Sequence, residues 1–281
     1  MPWKKYQLVF KLLSPLHIGY RKVGNLHQTR KYVPGKVLWA ALTARLTRMT
    51  GKGDSSKGYS DIGKAVANHF RFGYLWPAIF KNNNSTEQSK LEVCYPWSNT
   101  DYDYQFLNSY ASTALNYDFQ SSEEGTLHET EYIAPKTREN QQVYLKGDLW
   151  VEETDLPQDL KKWKEALQKI HLGSERNYGW GRVDLISNLQ DGIHDSPEII
   201  IKMKKKDKKV HLPAHVFAIV DGKEVNEVVG QVEPLLGWER DNSNSNRVWK
   251  LSNPVICYTP GAIVKIDSAF EIDAFGRLKK I

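Results

Sequence analysis

The stretch Leu172-Gly-Ser-Glu-Arg-Asn-Tyr-Gly-Trp-Gly-Arg-Val183 decides how the rest of the chain is read. Gly173, Gly179 and Gly181 sit with Arg176 and Arg182, and Tyr178 and Trp180 alternate with the last two glycines. Glycine lets backbone N–H groups approach a ligand closely, arginine pairs with phosphate in a planar fork, and aromatic rings offer faces to bases. The composition points to a loop that touches nucleic acid, with Ser174 and Asn177 as further polar contacts. A dinucleotide-binding glycine loop follows a strand and opens a helix. Here the order is reversed. Leu156, Leu160, Trp163, Leu167 and Ile170 recur at three- and four-residue spacing and predict a helix over Asp155 to His171. Gly173 stands where a helix-terminating glycine belongs, and Arg182 to Ile186 predicts a strand. The negative end of that helix would lie behind the loop, so an anion held there depends on Arg176, Arg182 and backbone amides. A Rossmann-type cofactor is therefore disfavoured, and no small-molecule cofactor is expected.

Working outward, Gln7–Leu13 predicts a strand ended by Ser14-Pro15, followed by the glycine-punctuated segment Ile18–Gly24. Pro34 opens a helix whose Leu38, Ala41, Leu42, Arg45 and Leu46 share a face. Gly51–Gly58 reads as a flexible break, Ser60–Asn68 as a short helix, and Arg71–Phe80 and Glu92–Tyr95 as strands around the polar tract Asn82–Ser89. Ser98–Gly125 has no clean period and reads as an insertion, with strands near Glu129–Ala134 and Val143–Glu152 after it. Stripped of insertions, the order is strand, helix, strand, strand, helix, strand. That predicts an α+β fold with a ferredoxin-like unit of the kind RNA-recognition modules use. We place this domain at residues 1–195, with the glycine-rich loop at 172–182 and the insertion near 98–125. Residues 196–281 then form a smaller C-terminal unit, β-rich or a second ferredoxin-like fold.

The chain of 281 residues has a net charge of +6, with 26% charged and 40% hydrophobic residues, ordinary for a globular protein. No apolar run reaches the length of a membrane span, the opening makes a poor signal peptide, and two cysteines form no framework. A cytoplasmic protein without membrane contact or a structural metal is expected. Charge is distributed unevenly: Met1 to Gly53 contains no Asp or Glu but carries Lys4, Lys5, Lys11, Arg21, Lys22, Arg30, Lys31, Lys36, Arg45, Arg48 and Lys52. Such a segment either attracts a polyanion or is balanced by acids elsewhere in the fold, and nucleic acid is the favoured reading. The lysine run 202–209 fits RNA contact and a charged hairpin tip equally well. Trp76, Trp97, Trp150 and Trp163 read as core, whereas Trp180, flanked by two glycines, has little local cover.

Three elements then combine: Ser14-Pro-Leu-His-Ile-Gly19, Tyr32-Val-Pro-Gly-Lys-Val-Leu-Trp-Ala-Ala-Leu42, and the loop Gly173–Arg182. Together, in order, they resemble the RAMP superfamily of CRISPR-associated proteins. Phe70-Arg-Phe-Gly-Tyr-Leu-Trp-Pro77 and the long continuation past the loop resemble subunits of type III effector complexes, most of all the subunit that caps the complex and grips the 5′ handle of the guide RNA. Lys36 stands where the family commonly has a small residue, and Ala40 where it commonly has glycine. The resemblance implies guide RNA and other effector subunits as partners. It implies RNA contacts at Gly19, Arg21, Lys22, Arg30, Lys36, Gly173, Ser174, Arg176, Asn177, Tyr178, Gly179, Trp180, Gly181 and Arg182.

Members that cut target RNA place an aspartate in the loop before the Pro-Gly motif, and Gly19–Tyr32 contains no Asp or Glu. That argues against a metal-assisted cutting subunit. The alternative is a metal-independent guide-processing ribonuclease, with His27 or His171 as general acid or base; His17 reads as a brace for its turn. Processing members carry the glycine loop close to the C-terminus, whereas here nearly 100 residues follow it. The enzymatic question therefore stays open, leaning towards a binding subunit.

Overall fold

Alternation in the first strand sets the core. In β1 (Lys4–Leu12), Tyr6, Leu8, Phe10 and Leu12 are buried, the period-two pattern of a strand with a covered face. The computed structural model describes residues 3–53, 55–81, 90–189, 199–203, 210–240 and 249–281. β1 is followed by a hairpin of β2 (Gly19–Val23) and β3 (Leu26–Thr29), then by α1 (Gly35–Met49) and α2 (Ser56–His69). Next come β4 (Phe70–Phe72), β5 (Trp76–Lys81), β6 (Lys90–Val93) and a short helix α3 (Tyr102–Phe106). The segment read as an insertion then forms β7 (Leu107–Ser112) and a minor hairpin, β8 (Leu115–Asn116) and β9 (Ser121–Ser122). β10 (His128–Ile133), β11 (Tyr144–Val151), α4 (Trp163–Leu167) and β12 (Val183–Leu185) complete this part.

The main sheet runs β12-β1-β11-β5-β6, with β4 also pairing β11, and every neighbouring pair is antiparallel. This is an α+β fold, and the order follows the strand-helix-strand-strand-helix-strand reading: last strand, first, third, second. The helices cover one face. Leu38, Leu42 and Leu46 of α1 and Ile62 and Val66 of α2 join Leu8, Phe10, Phe72, Leu145 and Trp163 in one apolar cluster. Gly63 lets α2 approach α1, since a Cβ there would lie 3.0 Å from the Trp39 ring, whose indole N–H donates to the Gly63 carbonyl. α2 starts at Ser56, inside the stretch read as a flexible break, because the Ser55 hydroxyl accepts from the Gly58 amide and caps it.

The other face of the sheet carries a second cluster. Tyr32, Tyr74, Trp76 and Trp150 pack there against Leu212, Val216, Phe270 and Leu278. Among the described residues from Ile199 onward there are strands and no helix. The larger sheet of this segment pairs Ile200–Met203, Ser268–Ile272, Leu278–Lys280, Val216–Phe217, Val255–Tyr258 and Val232–Leu235 in that order. Trp76, Trp150 and Trp163 are core residues, and Trp97 is half-buried, stacked between Tyr95 and His211. The boundary at 195–196, the tract Asn82–Ser89 and most of the 202–209 run lie outside the described residues. No helix among those described is long and apolar enough to cross a membrane.

One element departs from its sequence pattern. The helix expected over Asp155–His171 is a 3-10 turn, Gln158–Leu160, followed by the five-residue α4. Pro157 lacks an amide donor and disfavours helical backbone at Leu156, so the helix cannot start there. The apolar spacing still serves its purpose: Leu160, Trp163, Leu167 and Ile170 are buried. With α4 ending five residues before Leu172, its dipole has little bearing on the glycine loop.

Candidate nucleic-acid interface

The glycine loop is stapled to the turn after β1. The Gly181 amide donates to the Pro15 carbonyl (2.8 Å), the Ser174 amide to the His17 carbonyl (3.0 Å) and the Arg182 amide to the Ser14 hydroxyl (2.9 Å). Two glycines are dictated by close approach as well as by positive φ. A Cβ at Gly173 (φ +74°) would overlap the His17 carbonyl, and one at Gly181 (φ +74°) the Leu172 carbonyl. Gly179 (φ +82°) faces open space, so only its backbone angle calls for glycine. Between them, Glu175 in the left-handed region leads into a 3-10 turn, Arg176–Tyr178.

This bracing uses most of the loop's donors. The amides of Leu172, Ser174, Tyr178, Gly179, Trp180, Gly181 and Arg182 all donate within the protein. Among the described residues, the amides of Gly173, Glu175, Arg176 and Asn177 have no acceptor. The backbone donors left over lie in the first bend of the loop, whereas Gly179 and Gly181 have already spent theirs. Arg176 and Arg182 are exposed and make no ion pair among the described residues. Tyr178 is 81% exposed, but Trp180 is covered by the edges of Tyr132 (5.1 Å between ring centroids) and Tyr110 (6.4 Å). The aromatic face open to a base is that of Tyr178, and Trp180 instead fixes the loop to a second sheet.

That second sheet runs β2-β3-β10-β7. β3 lies parallel to β10, and β10 antiparallel to β7. It brings the N-terminal hairpin beside the loop. All of β2 is exposed, including Gly19, Arg21 and Lys22, and the Arg21 Nε donates to Gln28 (2.6 Å). His17 is buried and its Nδ1 donates to the Glu131 carbonyl (2.6 Å), a brace between the turn and β10. His27 lies 5.8 Å from His128, a neighbour the sequence did not suggest because 101 positions separate the two. Partial burial, with the charges of Lys22, His128 and His17, lowers the His27 pKa, while Glu175 opposes the shift. His171 is also lowered, first by burial and then by Arg182, Arg176 and Arg48. Both imidazoles are thus biased towards the neutral form.

Arg30 and Lys36 sit elsewhere. The Arg30 guanidinium is largely buried, donating to Glu233 (2.7 Å) and to the Tyr32 hydroxyl (3.0 Å), so it joins the two halves of the chain instead of facing solvent. Lys36 is exposed at the start of α1, 5.9 Å from the Phe275 ring, where Gly35 is pressed against the Phe72 and Phe275 carbonyls. At 1.5 Å per residue it lies about 14 Å along the helix from Arg45. Carboxylates from later in the chain balance part of the acid-free segment: Glu153 pairs with Lys4, Asp148 with Lys5, Asp103 with Lys31 and Asp159 with Lys52. Arg21, Lys22, Arg45 and Arg48 keep no such partner among the described residues.

An α+β protein results, in which a glycine-rich loop entering the last strand of the main sheet is braced by the turn leaving the first. The RAMP superfamily model matches residues 9–184, more than half of the chain, and the chain belongs to that superfamily. A search of curated proteins returns no match. Similar solved structures include a chain of the type III-B Cmr-beta complex bound to cognate target RNA. It is 12% identical over 92% of this chain and 86% of the other, with a TM-score of 0.47. A chain from the same complex with target RNA and AMPPnP, state 1, is 13% identical over the same shares, with a TM-score of 0.48.

Proposed function

We propose that this protein is a guide-RNA-binding subunit of a type III CRISPR ribonucleoprotein that grips the 5′ handle. The observation that carries the reading is the contrast within the glycine loop. Its backbone is fixed by bonds to the first strand's turn, while Arg176, Arg182 and Tyr178 are left exposed with no side-chain partner among the described residues. A rigid frame that presents cations and one ring to solvent suits a flexible polyanion with stackable bases. Arg21 and Lys22 on the adjoining hairpin extend the same surface, and the resemblance of Phe70–Pro77 and of the long continuation past the loop to type III subunits supports the type III assignment. In this account phosphate contacts set the register and Tyr178 stacks a handle base.

The test is guide-RNA binding by the Arg176→Ala/Arg182→Ala variant across a salt series. Affinity should fall at least tenfold and the salt slope should flatten; an unchanged affinity and slope would refute the reading. A second reading, a metal-independent guide-processing ribonuclease, draws on the His27–His128 pair, two imidazoles close enough to divide acid and base roles. Incubation of the protein with repeat RNA in EDTA separates the two. Specific cleavage that is lost in His27→Ala would establish the enzyme.

A further inference from the structure

The polar face of α1 does not run into open solvent along its whole length. Arg45 and Arg48, three residues apart and therefore on the same side of the helix, meet Lys169, His171, Arg176 and Asn177 around a groove of about 340 Å³. No carboxylate of the described residues lines it; Glu175, the loop's own acid, is not among the lining residues. None of its four Lys and Arg side chains makes an ion pair among the described residues. The Arg48 Nε donates to the Ala44 carbonyl (3.1 Å) within its own helix. The Arg45 Nε is shut off from solvent and has no acceptor. Four like charges around one groove repel each other, and a buried guanidinium donor without a partner is costly. The repulsion among the four charges is relieved by an anion seated in the groove.

We propose that this groove is a second phosphate-binding site, holding the backbone of the same RNA strand that crosses the glycine loop; the proposal rests on the RNA-binding reading above. Two features choose this ligand. The rest of the lining is Ala41, Ala44 and Ile170; Phe, Tyr and Trp are absent from it among the described residues, so the groove offers charge more than a broad stacking face. Its guanidinium forks match phosphate oxygens instead. Arg176 and Asn177 belong at once to the groove and to the exposed loop, so a strand passing Tyr178 can continue into the groove without a break. His171 adds a neutral N–H, which hydrogen-bonds phosphate without further charge crowding.

The test uses the full chain and a labelled single-stranded guide RNA, with Arg45→Ala/Arg48→Ala compared with Arg182→Ala. The single variant Arg48→Ala, at an exposed position, guards against misfolding. The groove variant should bind at least fivefold more weakly, and its salt slope should drop by roughly 1 to 1.5 for the two cations removed. Arg48→Ala should show part of the same loss with its melting temperature unchanged. Wild-type affinity and slope in both groove variants, with Arg182→Ala weakened, would overturn the groove assignment and leave the loop reading standing. Inorganic tripolyphosphate serves as a second probe. If it binds in a groove-dependent way to a protein that ignores RNA, the RNA assignment fails and a free polyphosphate is the ligand.

Discussion

Trp180-Gly-Arg182 and Phe275-Gly-Arg277 are the same three-residue device used twice for opposite ends. In both, the glycine has positive φ, +74° at Gly181 and +80° at Gly276. In both, a Cβ would overlap a backbone carbonyl, that of Leu172 or that of Phe72. The arginines diverge. Arg277 is held by Asp273, its Nε donating at 2.7 Å and a terminal nitrogen at 2.6 Å, and it lies over the Phe217 ring. Arg182 is exposed and pairs with no acid among the described residues. The shared backbone shows that close packing, not ligand contact, explains these two glycines; the difference in charge pairing shows which turn has spare capacity for a polyanion.

The largest effect should come from breaking the shared part. Gly181→Ala and Gly276→Ala each combine a left-handed backbone with a clash against a carbonyl, and should each destabilise the protein by roughly 2–5 kcal/mol. Chemical denaturation would check this, and a loss at only one site would show that the turns are not equivalent. A smaller effect separates the two halves by pH. On the C-terminal side, buried His215 receives the Tyr74 hydroxyl at Nδ1 (2.6 Å) and donates from Nε2 to Glu233 (2.6 Å). Burial opposes the Glu233 charge, but hydrogen bonds from His215 and Arg30 outweigh it and hold its pKa at about 2. Burial also lowers His215, against the pull of Glu233.

Both folded-state values lie below the unfolded ones, so both contributions are complete above the unfolded pKa and are lost on acidification. Stability should decline below about pH 6.5 as His215 is forced to charge. It should decline further from about 4.5 towards 2 as Glu233 is protonated. Glu233→Gln should flatten the lower part of a melting-temperature profile; an unchanged profile would remove this network from the account. The smallest effect is expected at Gly179, where positive φ is the sole demand: Gly179→Ala should cost about 1 kcal/mol, well below Gly181→Ala.

Much of the main sheet was legible because its signals are local. The short run Gln7–Leu13 closed by Ser14-Pro15 marked β1, three- and four-residue spacing marked α1, and the order of elements gave the connectivity. What escaped was non-local. The second sheet depends on β3 meeting β10 across the whole of the helical segment, which no periodicity announces. Trp180 loses its open face to Tyr110 and Tyr132, and Arg30 is neutralised by Glu233, 203 positions away. Within the loop, the residue types suggested contact but not which amides were already spent on bracing. Arg45 reads in the sequence as part of the face shared by Leu38 and Leu42, and Arg48 as one more cation of the acid-free segment; neither pattern announces the loop residues that meet them.

The most direct measurement is guide-RNA affinity as a function of salt for the wild type, Arg182→Ala and Arg277→Ala side by side. Arg182→Ala should weaken binding and lower the salt slope by about 0.7, the value for one phosphate contact on a single strand. Arg277→Ala should lower the melting temperature and leave the slope unchanged. Equal slopes in all three proteins, or a loss confined to Arg277→Ala, would contradict the claim that the exposed loop is the RNA-binding turn.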